Sequence, residues 1–100
     1  MKKIIFIFSI IISFLSTLSA QTTLKKSTMI GGEGGWDYLS VSAEDRRLYV
    51  SHSNQVEVLN VDTHEKIGSI PDTKGVHGIQ AVPAIGKGFI TSGQTNSVIV

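Results

Sequence analysis

The chain has 100 residues, 41% of them apolar and 17% charged, with no cysteine and a formal charge of +1. That balance gives no electrostatic case for a nucleic acid or an anionic membrane surface as partner. The missing cysteine excludes a disulfide-built scaffold.

The first 20 residues carry the pattern of a secretory signal. Lys2 and Lys3 form a basic start, residues 4–15 are apolar except for Ser9 and Ser13, and Ser16-Thr17-Leu18-Ser19-Ala20 offers small residues for cleavage. Cutting after Ala20 places Leu18 where a small residue is usual, and cutting after Ser19 places Thr17 there. The rival reading is an uncleaved anchor, but a spanning helix needs about 20 apolar residues, and this run is shorter and interrupted by serines. The expected product is exported, periplasmic or secreted, with no stable membrane span once the signal is cut. Without Lys2 and Lys3 the remainder has seven basic against eight acidic side chains, a net charge of −1.

Residues 21–100 repeat. A shift of 40 lays Ile30 on Ile70, Gly35 on Gly75, Leu39 on Ile79, Tyr49 on Phe89 and Val50 on Ile90. A period near 40 with short alternating strands predicts a stacked or radial repeat. One such unit cannot bury its own apolar faces. Residues 98–100 read as the beginning of a strand with no turn signal after them, so the expectation is the N-terminal part of a longer protein.

In chain order, residues 26–30 sit one period before 66–70 and are expected as an outer strand of a neighbouring unit. Gly31-Gly32-Glu33-Gly34-Gly35 is a connection in which glycine lets backbone pass close to its neighbours. It lacks the Lys-Ser/Thr that a phosphate loop requires. An inner strand is predicted over 38–41, a turn over 43–46, a second strand over 48–51, a turn at Asn54-Gln55 and a third strand over 56–61. Val56 and Val58 share one face of that strand, Glu57, Leu59 and Val61 the other. A turn over 62–65 leads to an outer strand over 66–70, ended by Pro71. The second unit follows the same route, with strands over 79–82, 88–91 and 98–100 and turns over 83–86 and 93–96. Asp45 and His64 are expected in left-handed turn conformations, which such residues tolerate better than most. No helical period appears after the signal, so the fold class is all-β, and four strands in roughly 40 residues is the arithmetic of a propeller blade.

The run Arg47-Leu48-Tyr49-Val50-Ser51-His52, then Val56-Glu57-Val58-Leu59-Asn60-Val61, Asp62-Thr63 and Lys66-Ile67-Gly68-Ser69-Ile70 resembles the YVTN-type β-propeller repeat. Gly75-Val76-His77-Gly78-Ile79 is similar to the entry of the next repeat. The resemblance covers residues 24–100 and implies an exported propeller of four-stranded blades, typically seven, two of them in view, of the kind called YncE-like, mostly with no enzymatic role assigned. Asp45, Ile85 and His64 stand where that repeat usually has glycine. Trp36-Asp37 precedes a first strand, so it is not the closing pair of a WD repeat.

Asp37 and His77 lie one period apart and are expected at equivalent places near the axial opening, where such positions form a polar ring. They either tie down loops or contact a ligand; a metal would need more donors than these two. Trp36 and Tyr38 flank Asp37 and are expected to point away from it. They serve as core wedges or as a recognition patch. His52 is expected to bond a backbone group. There is no G-x-S-x-G elbow and no Cys-x-x-Cys-His haem site. No cofactor is expected. Two functions compete: a non-catalytic envelope scaffold that binds a protein, polymer or small molecule, and a lactonase- or lyase-like propeller enzyme with an acid/His or metal site in its channel.

Overall fold

The computed structural model describes residues 20–100, so the targeting segment lies, apart from Ala20, outside the described residues. Seven strands follow one another: β1 (Trp36–Ser42), β2 (Arg47–His52), β3 (Gln55–Asn60), β4 (Lys66–Ile70), β5 (Val76–Val82), β6 (Lys87–Ser92) and β7 (Ser97–Ile99). They form two antiparallel sheets, one in the order β1-β2-β3-β4 and one in the order β5-β6-β7. Each expected strand from residue 38 onward is present, and among the described residues there is no α-helix. Val56 and Val58, alternating with polar Gln55 and Glu57 in Gln55–Asn60, and Phe89, Ile90 and Thr91 in Lys87–Ser92 are residue types that suit a pleated, partly buried strand. Single turns of 3₁₀ helix at Pro83–Ile85 and Gly93–Thr95 close the second sheet's hairpins, ending in left-handed Gly86 and Asn96.

Two local expectations are corrected. Residues 26–30 form no strand. A strand needs a pairing edge, and this segment instead lies over a sheet face, where the Lys26 ammonium donates to the Thr63 carbonyl at 2.9 Å. In the β1–β2 turn the left-handed residue is Arg46 (φ 55°), not Asp45. Asp45 is pinned by the Ser42 hydroxyl, which donates to its carboxylate at 2.8 Å. Arg46 takes the strained position, and its guanidinium reaches Asp62 with Nε 3.1 Å from Oδ2. That hydrogen bond, reinforced by the positive charge, holds the Asp62 carboxyl below its ordinary range. His64 does turn left-handed, at φ 62°. The Asn60 side-chain carbonyl accepts the amides of Asp62 (2.8 Å) and Thr63 (3.0 Å), which closes the β3–β4 hairpin as an Asx turn.

The core lies between the sheets. Tyr49, Val56 and Val58 of the first sheet pack with Val76, Ile79 and Ile90 of the second. This is how one repeat buries the face that it cannot cover alone. Val56 is wholly buried at its centre, and Val56→Ala is expected to cost about 2 kcal/mol, the transfer of two methyl groups plus a residual cavity. Urea unfolding of the full chain measures this. The opposite face of the first sheet stays apolar: Leu39 and Val41 are 66% and 63% exposed. With Leu48 and Leu59 they line a groove of about 670 Å³ partly covered by residues 23–30.

The same irregularity recurs in both sheets. Between Trp36↔His52 and Leu39↔Val50 the first strand carries one residue too many. The same surplus lies between Val76↔Ser92 and Ile79↔Ile90. A bulge of this kind re-aims the side chains it contains. Those residues are Asp37-Tyr38 and His77-Gly78, one period apart.

Candidate functional site

The paired bulges bring Asp37 and His77 together. Nδ1 of His77 pairs with Oδ2 of Asp37 across the two sheets. Both remain accessible, with side-chain exposures of 36% for Asp37 and 66% for His77. They sit in a depression of about 460 Å³ whose lining also includes Trp36, Ser53 and Gln94. The His77 peptide is clamped from both sides. Its carbonyl accepts the Ser51 hydroxyl at 2.6 Å, and its amide and that of Gly78 donate to Thr91 Oγ1 at 3.3 and 3.0 Å. The first sheet thus holds the second sheet's bulge in place through a buried serine.

Three of the four expected site residues, Trp36, Asp37 and His77, line one depression; Tyr38, 67% exposed, does not line it. Strict alternation would have put Trp36 and Tyr38 together and Asp37 apart. The bulge cancels that rule, because an extra residue shifts every following side chain by one place.

Beneath Trp36 lies a cluster of buried polar groups. The indole stacks on the His52 imidazole with ring centres 3.7 Å apart and planes 8° from parallel. His52 is 1% exposed, and its Nδ1 lies 3.0 Å from Oε1 of Glu57, which is fully buried. The Gln55 amide donates to the same oxygen. The Lys66 ammonium lies 2.6 Å from Oε2. This contact is an ion pair with a fully buried carboxylate. Burial pushes the Glu57 carboxyl up, but Lys66, His52 and Gln55 together hold it below the ordinary carboxylate range. Facing a carboxylate, Nδ1 of His52 carries the proton, while Nε2 is buried with no partner among the described residues.

The expectation that His52 would bond a backbone group is therefore corrected: its partner is a carboxylate five residues on. Trp36 is 50% exposed where it stacks on His52. Glu57 was not singled out from the sequence as a candidate. The signal was present, since Glu57 interrupts an apolar strand between Val56 and Val58 and Leu59. A charge in such a run is solvated on an outer face or paired inside, and only the packing of Lys66 and His52 selects the second.

Among the described residues no three His, Cys, Asp or Glu side chains converge as a metal-binding group. No described helix is long and apolar enough to cross a membrane. No known protein family, curated protein or solved structure matches this chain.

Proposed function

We propose that the two sheets are consecutive blades of an exported propeller of the YVTN type, and that the rim around Asp37 and His77 binds a ligand or envelope partner without catalysis. The observation that carries this reading is the contact between Asp37 and His77. It joins equivalent bulges of neighbouring sheets, so each further repeat would add one more side chain to the same rim. The exposed apolar face bearing Leu39 and Val41 adds support, because a sheet with two apolar faces needs a neighbour on each. Export rests on the signal pattern of residues 1–20.

The test is a metal and small-ligand analysis of the full-length, signal-free protein purified without chelator, beside Asp37→Ala and His77→Ala. Both positions are exposed, so both variants should melt within about 2 °C of the parent yet lose the bound molecule. Unchanged retention of that molecule in both variants would remove the rim from consideration. A stoichiometric metal lost in either variant would instead favour a propeller enzyme. The carboxylate–imidazole contact is the observation behind that second reading, since such a contact orients a histidine as a general base.

A further inference from the structure

We propose that Trp36 is a stacking platform for the pyranose ring of a neutral saccharide, and that His52 and Glu57 are positioning residues that hold its plane. This rests on the rim reading above and names the ligand class that the rim takes.

His52 covers one face of the indole at 3.7 Å, and Trp36 remains 50% exposed. The exposed part of the residue borders both the depression that holds Asp37 and His77 and a second hollow lined by Met29, Ile30 and Gly32. The indole is also rigid from below. The imidazole under it cannot turn without breaking its contact with Glu57, and Glu57 is fixed by Gln55 and Lys66. A buried ion pair is a weak source of stability. Its effect here is to order a side chain that reaches the surface, which lowers the entropy lost when a ligand stacks on it.

The groups beside the platform select the ligand. A pyranose presents a flat face of C–H bonds, polarised positive, to the negative face of an indole. Its hydroxyls both donate and accept. The Asp37 carboxylate and the Gln94 carbonyl accept, while the Gln94 amide, the Ser53 hydroxyl and the His77 ring supply donors, all around the same depression. A quaternary cation calls for a cage of several aromatic faces; Trp36 is the chain's single tryptophan and Tyr38 lies outside the depression. An anion would meet the Asp37 carboxylate.

Because Trp36 is the single tryptophan, its emission reports on the platform alone. The full-length, signal-free protein is titrated with cellotetraose, maltotetraose and N-acetylchitotetraose, with tetramethylammonium as the competing chemistry. One tetrasaccharide should shift the emission to shorter wavelength and saturate. By calorimetry, Trp36→Ala should weaken that binding by tenfold or more, about the loss of a hot-spot residue, and Trp36→Phe by less. Glu57→Gln, which keeps the shape of the side chain, should weaken sugar binding and lower the Trp36 emission anisotropy of the free protein, a change that a purely stabilising role for Glu57 would not produce. No response to any of the three sugars at millimolar concentration overturns the proposal, as does equal affinity in Trp36→Ala. Saturation by tetramethylammonium alone overturns the sugar class and leaves the rim reading standing. Sugar binding that survives Trp36→Ala, Asp37→Ala and His77→Ala together overturns both.

Discussion

Glu57→Ala should destabilise the full chain by about 3 kcal/mol, the low end of what removing one partner of a buried ion pair costs. The low end applies because the orphaned Lys66 side chain is 37% exposed and can turn its ammonium to water. His52 and Gln55 cannot do the same as easily, since His52 is 1% exposed and both lose their acceptor. Glu57→Gln should cost less, because its amide oxygen still accepts. Urea unfolding followed by far-UV circular dichroism measures both. A loss below about 1 kcal/mol in Glu57→Ala would mean that the cluster contributes no more than a surface pair does.

The same carboxylate sets a pH dependence. Its folded-state value lies below the ordinary one, so the stability it adds is present in full above the unfolded value of about 4.3. That contribution is lost as the pH falls through the lower folded value. Wild-type stability should therefore fall more steeply with acid than that of Glu57→Gln, and the two curves should converge at the acid end. Parallel curves would show that Glu57 does not titrate with folding.

Gly32→Ala should cost about 2–4 kcal/mol, far more than a glycine in a solvated linker would. Gly32 has φ +95°, where an L side chain is strained. A methyl group there would also stand 2.6 Å from Cε1 of His52. That carbon belongs to a ring stacked under Trp36 and bonded to Glu57, so it cannot step aside cheaply. Thermal unfolding reads the cost, and Trp36 emission reads the place, since displacing His52 must disturb the indole. Gly31→Ala is the control: it has φ +73° but nothing within 4 Å of the added carbon. It should carry the backbone strain without moving the Trp36 spectrum. Identical spectra and stabilities for the two variants would show that the loop does not pack on His52.

Much of the framework was legible from the residues. Alternation and turn residues placed the strands from residue 38 onward within two or three residues of their observed ends, with His64 and Gly86 marking reversals, whereas the strand that the period alone suggested over 26–30 is absent. Those signals are local: alternation along a strand and positive-φ tolerance at a turn act within a few residues. Asp37 and His77 were legible as a pair for the same reason, since a repeat copies position. The glycine run between 31 and 35 announced close backbone approach, but not that His52 is what it approaches.

What the chain alone decided was its all-β character, its repeat and the equivalence of Asp37 with His77, because each depends on short-range pattern. Only the packed sheets decided the rest. The bulge in β1 overrode alternation and left Tyr38 outside the depression that Trp36 lines, and its counterpart in β5 set His77 beside Asp37. The docking of β5 on the first sheet drew the Ser51 hydroxyl to the His77 carbonyl. Burial turned Glu57 from an interruption in an apolar strand into the anchor of His52 and Trp36. These contacts join residues on different strands, where the balance between desolvating a charge and finding it partners is set by three-dimensional neighbours and leaves no periodic trace in sequence.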